Sequence, residues 1–286
     1  MAAGLLPARV GIEPAVPTAL RTVLAPTRRV LFGPERPRAW SVVTKLAAVN
    51  AYWLETDPGH PYDIAIHASN DELCELPPWP PVLNRACTDV SKTRVAAVFE
   101  QVFGYSLAVD PTTHAGPIVQ KSDANATHDG RILDGPISAS SVRDGYVYQR
   151  LVDTSDGAEV VDLRTPLYGG IVPLVYVMRR PAEARFAIAN TSVTLHEPDA
   201  VFDAGELRQL AVFAVEMGVD YAELDVLRDR DGRIYVVDVA THPAGPPTAL
   251  SKSEEAEALS RLAGALDDLC ARAVRERAPS GSPGLG

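Results

Sequence analysis

The chain has 286 residues, 46% hydrophobic and 22% charged, and carries a formal net charge of −10. That length holds one large domain or two to three packed subdomains, and no apolar run reaches the roughly 18 to 20 residues of a bilayer-spanning helix, which excludes a membrane span. The negative balance repels phosphate backbones and argues against nucleic acid as a general partner.

The first 27 residues are rich in Ala and Pro, with Glu13 as their only acid. They lack the continuous apolar core of a secretory signal and are expected to form a poorly ordered tail, with an organellar transit peptide as the weaker alternative. Arg29-Val30-Leu31-Phe32-Gly33 reads as a first strand. Apolar positions at helical spacing from Trp40 to Leu54 predict a helix, and Asp63 to His67 a second strand, which makes a β-α-β unit. Leu76-Pro77-Pro78-Trp79-Pro80-Pro81 is a connector and a boundary, since proline denies it a helix or an inner strand. Asp89 or Ser91 caps a helix that runs to Phe103 and is ended by Gly104.

Strands are then predicted at Ile118 to Lys121, Arg131 to Leu133, Tyr146 to Val152, Glu159 to Leu163, Ile171 to Met178 and Phe186 to Leu195. Asp203 and Glu206 have capping-box spacing ahead of a helix ending near Met217-Gly218. Val219 to Leu227 and Arg233 to Val239 flank a turn and read as a hairpin. Ser251 and Glu254 open a last helix with Leu259, Leu262, Leu266, Leu269 and Ala273 on one face. The residues from Ala278 on are expected to fray. Cys74, Cys87 and Cys270 show neither CxxC spacing nor an even disulfide count. They suggest a reducing, cytoplasmic setting.

The strongest chemical signal lies in the hairpin. If Arg228 opposes Arg233, paired residue numbers sum to 461, which puts Asp225 opposite Val236 and Glu223 opposite Asp238. Period-two alternation then gathers Glu223, Asp225 and Asp238 on one face. Three neighbouring carboxylates repel unless a cation joins them, and Mg²⁺ typically takes one or two protein carboxylates plus phosphates and water. A solvated acidic face is the alternative; the apolar opposite face and the rigid Pro243 to Pro247 loop speak against it. A second signal is Ile118 to Lys121 followed by the small polar loop Ser122 to Gly130, which can lay N–H groups over phosphates while Lys121 supplies charge. An ordinary hairpin with an exposed lysine explains that segment equally well. His128 is given no role, and no P-loop, dinucleotide, zinc or nucleophile-elbow motif is present.

In order, these pieces resemble the ATP-grasp superfamily over about Asn84 to Leu269, with Val30 to Asn70 where those proteins carry a small preceding domain. Lys92 and Lys121 match its two phosphate lysines. Tyr148-Gln149-Arg150-Leu151-Val152 fits the strand whose backbone holds adenine, and Asp162-Leu163-Arg164 the acidic-x-Arg step. Asp225 and Asp238 match its metal carboxylates. Ala240 stands where an asparagine normally adds a ligand, so Thr241 or His242 must compensate or one of two Mg²⁺ ions is held weakly.

The resemblance implies an α+β, two-lobe fold with a small N-terminal α/β subdomain. The expected boundaries are a tail at 1–27, the subdomain at 28–83, the lobes at 84–148 and 149–277, and a second tail at 278–286. It implies ATP and Mg²⁺ as cofactors, with Lys92, Lys121, Ser122, Gln149, Arg150, Leu151 and Val152 on ATP. Asp225, Asp238 and Glu223 fall on the metal, and Arg164 with Arg179 or Arg180 on the transferring group. The implied reaction activates a carboxylate as an acyl phosphate for attack by an amine. Phosphoryl transfer to a hydroxyl, or a nucleotide-binding module without turnover, are the alternatives, and both expected substrates are small molecules.

Overall fold

The computed structural model describes residues 26–75, 79, 82–124, 127 and 129–276. Residues 1–25 and 277–286, most of the proline-rich connector, and His128 in the loop lie outside them. Thr27, assigned to the tail by sequence, is tied down: its Oγ1 donates to the Asn50 carbonyl at 2.6 Å.

The front of the chain is a parallel sheet in the order β2-β1-β3-β4. Its strands are β1 (Arg28–Pro34), β2 (Tyr52–Glu55), β3 (Ile64–Ala68) and β4 (Val82–Leu83). Helix α1 (Val42–Val49) joins the first two. It is shorter than its sequence predicts. The chain reverses at Asn50 and Ala51, whose φ is 54°, and Trp53 and Leu54 enter β2 beside β1. Aromatic and aliphatic side chains suit a pleated edge as well as a helix, so spacing alone misassigned them.

Helix α2 (Lys92–Phe103) starts as expected, with the Ser91 hydroxyl accepting from the Arg94 N–H, and ends at left-handed Gly104. A three-stranded antiparallel sheet follows in the order β6-β5-β7, made of β5 (Gly116–Ser122), β6 (Arg131–Gly135) and β7 (Tyr146–Arg150). The largest sheet is antiparallel in the order β11-β10-β9-β12-β13, with short β8 (Ser155–Asp156) on β9. It contains β9 (Glu159–Tyr168), β10 (Val175–Pro181), β11 (Ser192–His196), β12 (Tyr221–Arg228) and β13 (Ile234–Ala240). Strands β10 and β11 begin later than the apolar runs suggest, because Pro173 delays the first and residues 185–191 form a loop before the second. The short helix α3 (Pro198–Val201) leads into α4 (Ala204–Met217), which has the full Asp203/Glu206 capping box, and α5 (Lys252–Arg275) has the Ser251/Glu254 one.

The large sheet packs against other elements on both faces, on the reverse one only in part. Leu163, Leu167, Leu224, Val226 and Val236 pack on Val95 and Phe99 of α2 and on Leu210 and Phe213 of α4. On the reverse face, Tyr168, Tyr176 and Tyr221 meet Leu262 and Leu266 of α5 together with Phe32 and Ile66 of the parallel sheet. One buried residue joins the two sheets. Asn84 takes a left-handed φ of 62°, which asparagine tolerates better than most residues. Its Nδ2 donates to the His67 and Tyr221 carbonyls at 3.0 and 2.7 Å, and its Oδ1 accepts from the Asp220 and Tyr221 N–H groups at 2.7 and 2.8 Å. Among the described residues no helix is long and apolar enough to cross a membrane.

Candidate functional site

The reverse face of the large sheet is covered only in part, and beyond the tyrosines it carries charge. In the ladder Asp225 lies directly opposite Asp238 and Glu223 opposite Ala240, whereas Val226 pairs with Val236. The register expected from sequence, with Asp225 opposite Val236 and Glu223 opposite Asp238, is therefore corrected. Two one-residue offsets produce the change: at the turn Arg228 pairs with Ile234 rather than Arg233, and Val237 is an extra residue in a β-bulge, which leaves no local sequence signature to set the count. All three acids still share a face, because the correction exchanges partners without moving these side chains to the other side.

Strand β9 adds Arg164, paired across the ladder with Asp225. Its Nε lies 3.2 Å from Asp225 Oδ1 and 3.4 Å from Glu223 Oε1. The guanidinium is thus the cation that bridges these two acids. Two residues back, Asp162 is held by Arg180 Nη2 at 2.8 Å. Arg179 lies on the other face of β10 and pairs with Asp156 at 2.6 Å, so the geometry separates it from this group, while Arg180 belongs to it.

Burial, reinforced by Asp225 and opposed by Arg164, pushes the Glu223 carboxyl up to about 7. Asp238 is raised by burial and by Asp225. Asp162 is pushed up to about 6 by burial, against the pull of Arg180. Arg164, with Asp225 beside it, is raised above the ordinary guanidinium value.

Lys121, at the end of β5, reaches across from the smaller sheet and donates from Nζ to the carbonyl of Val237 at 3.0 Å. The acceptor is the bulged residue itself. Burial lowers the lysine to about 8, with Asp238 opposing and Lys92 adding to the shift. Lys92, the first residue of α2, donates to the Asp123 and Ala124 carbonyls at 3.4 and 3.0 Å. It therefore holds the start of the small polar loop. Ser122 also serves that loop, its N–H donating to Asp129 at 2.9 Å and its hydroxyl accepting from Ala124 at 3.1 Å.

Between the two antiparallel sheets lies an open cleft. Leu107, Val119, Val152, Val160 and Leu227 give it apolar walls, and Lys121, Asp162 and Asp225 its polar lining. Gln149 to Val152 line it as well, and the Gln149 Nε2 is buried without a partner. Of this segment's backbone, the Arg150 and Leu151 N–H groups are already bonded to the Leu107 and Pro117 carbonyls. Sequence reasoning missed Leu227, Val160, Arg185 and Phe186. Leu227 was readable, being two residues beyond Asp225 on the same strand and so on the same face. Phe186 was not: it arrives from the β10–β11 loop and packs so closely on Gly130 that a Cβ there would lie 2.7 Å from its ring.

Both suggested substitutes for the missing asparagine have partners elsewhere, although His242 Nε2 is buried without one. Thr241 Oγ1 donates to the Ser69 carbonyl at 3.0 Å, and His242 Nδ1 lies 3.4 Å from Glu35. Among the described residues no group of three or more His, Cys, Asp or Glu side chains is arranged to hold a metal. Of the three acids expected on the metal, Glu223 and Asp225 are bridged by Arg164, and Asp225 lies opposite Asp238. That pair fits a divalent ion: Asp225 and Asp238 oppose each other, and Asp238 Oδ1 is buried without a partner. A hard cation needs no more than this from the protein when phosphates and water complete its shell.

No protein-family model and no curated protein matches the chain. Solved structures do. D-alanine–D-alanine ligase from Bacillus anthracis, complexed with ATP, aligns at a TM-score of 0.55 and 14% identity over 87% of this chain and 99% of that one. The ATP-grasp ligase PsnB complexed with a minimal precursor aligns at 0.54 and 14% identity, over 86% and 99%. The same ligase with a phosphomimetic precursor variant, Mg and ADP aligns at 0.52 and 15% identity, over 85% and 98%. At such identities the likeness is one of architecture: the chain has the α+β ATP-grasp fold.

Proposed function

We propose that the protein is an ATP-dependent ligase that activates a carboxylate as an acyl phosphate and joins it to an amine. The observation that carries this reading is the direct opposition of Asp225 and Asp238, with Lys121 brought beside them from a second sheet at the polar end of a cleft. The solved structures support it: D-alanine–D-alanine ligase is complexed with ATP and PsnB with Mg and ADP. In this reading residues 28–83 form the front subdomain, and 84–148 and 149–277 are two lobes closing on the nucleotide. The three free thiols suit a cytoplasmic setting.

The apolar walls receive the base, with Gln149 to Val152 along its edge. Lys121 neutralises phosphate oxygens, and Lys92 orders the loop that covers them. Asp225 and Asp238 would hold Mg²⁺, which when bound would offset phosphate charge. A substrate carboxylate oxygen attacks the γ-phosphorus, the bond to the bridging oxygen breaks, and ADP leaves. Arg164, fixed by two acids, balances charge on the transferring group. The amine then attacks the acyl carbon, phosphate departs, and the ammonium proton passes to solvent. The protein's task is alignment and charge. An ADP-release assay over pooled amino acids and small carboxylic acids, followed by product analysis, tests this. An amide with inorganic phosphate supports it, and a stable phosphorylated product replaces it with phosphoryl transfer. Ala240, with Thr241 and His242 partnered elsewhere, favours a second reading: nucleotide binding without turnover. Tight ATP binding with no ADP formed over the whole panel would establish that one.

A further inference from the structure

Glu223 is the residue the reaction scheme leaves unused. It is buried, shares a face with Asp225 and Asp238, and has Ala240 as its cross-strand partner. A methyl group offers a cation nothing. Of the neighbouring candidates, Thr241 is bonded to Ser69, and His242 presents Nδ1 to Glu35 and keeps a buried Nε2 without a partner. The Glu223 carboxylate itself meets Arg164 Nε at 3.4 Å, and the same Nε meets Asp225 at 3.2 Å. A guanidinium carries a permanent charge on a rigid planar fork. Gripped at its base by two acids, the fork keeps one orientation, and its charge stands where a second ion would otherwise be needed to relieve the acids.

We propose that Glu223 is a positioning residue for Arg164 rather than a metal ligand, and that the chain binds one divalent ion per nucleotide, between Asp225 and Asp238. This rests on the nucleotide-and-metal reading above and deepens it. The ion and the arginine divide the work: Asp238, with its unpartnered oxygen, serves the metal, Glu223 serves the guanidinium, and Asp225 lies between them.

The test counts ions without turnover. Mn²⁺ is titrated into the full chain with a non-hydrolysable ATP analogue, and free Mn²⁺ is read by electron paramagnetic resonance. One retained Mn²⁺ per bound analogue is expected in the wild type, with the same count and affinity in Glu223→Gln. Two ions in the wild type, or a weaker ion in Glu223→Gln, overturn the proposal. The wild-type count decides whether or not a variant folds. A kinetic arm examines the positioning role: Glu223→Ala lowers kcat with the nucleotide KM unchanged, and Glu223→Gln, which keeps an oxygen for Nε, recovers most of the loss. An unchanged kcat in Glu223→Ala overturns that role. Failure of the wild type to bind the analogue at all is a different outcome, since it removes the nucleotide reading and this inference with it.

Discussion

The two faces of the six-stranded sheet are made by the same strands, yet one is a continuous apolar surface and the other carries a line of charge. Along β12, Leu224 and Val226 point into the core with α2 and α4, while Glu223 and Asp225 point the opposite way beside Arg164. Alternation thus puts folding energy and chemistry on adjacent residues. The charged face is tolerable because nearly every group on it has an opposite partner, and burial raises the carboxyls of Glu223, Asp162 and Asp238.

If the faces divide the labour in this way, substitutions one residue apart should have different kinds of effect. Leu224→Ala should cost about 2–5 kcal/mol, as for other fully buried leucines. A chemical denaturation midpoint should fall, with whatever activity remains scaling with the folded fraction. Asp238→Asn should do the reverse. Mg-dependent turnover should drop on the order of 10²–10³, while thermal stability without nucleotide holds or rises, since a buried charge repelled by Asp225 has been removed. Retained turnover in that variant would return the acids to a merely solvated face.

Lys121→Met should weaken ATP binding about ten- to hundredfold, the range for one charged hydrogen bond, measured by calorimetry. Its pH signature sharpens the point. The lysine is depressed from 10.5 to about 8, so it loses its proton more readily folded than unfolded. Stability without nucleotide should accordingly rise with pH between about 8 and 10.5, and fall again as pH drops through 8. ATP affinity should move the opposite way, declining as the pH passes 8, and both trends should vanish in Lys121→Met. The smallest effect belongs to Arg179→Ala, on the apolar side of β10. Its half-exposed pair with Asp156 should be worth less than about 1 kcal/mol, with turnover unaltered in the same assay.

This contrast also explains what could be read in advance. Facial assignments depend only on parity, so Glu223, Asp225 and Asp238 could be grouped correctly. Partner assignments depend on counting across a turn, and two one-residue offsets defeated the count: Arg228 pairs with Ile234 rather than Arg233, and Val237 is extra at the bulge; together they restore the parity. Caps were legible because they are local: Ser91, Asp203 and Ser251 each bond within their own first turn. Trp53 and Leu54 were misassigned because a short apolar run satisfies either period until Ala51 reverses the chain. The bridging role of Arg164, the engagement of Thr241 with Ser69 and the approach of Phe186 to Gly130 all join segments distant in sequence, and no local pattern encodes them.

Asn84 sets a limit on how this molecule can be rearranged. Its amide is matched on one side to a carbonyl ending the front sheet and on the other to the opening residues of the strand that bears Asp225. Grafting a front sheet from another protein onto this frame would have to bring an equivalent bent asparagine, or leave three backbone groups dry and unbonded at the seam. The front piece and the β12–β13 hairpin are therefore tied together at Asn84, and chimeras should be joined elsewhere.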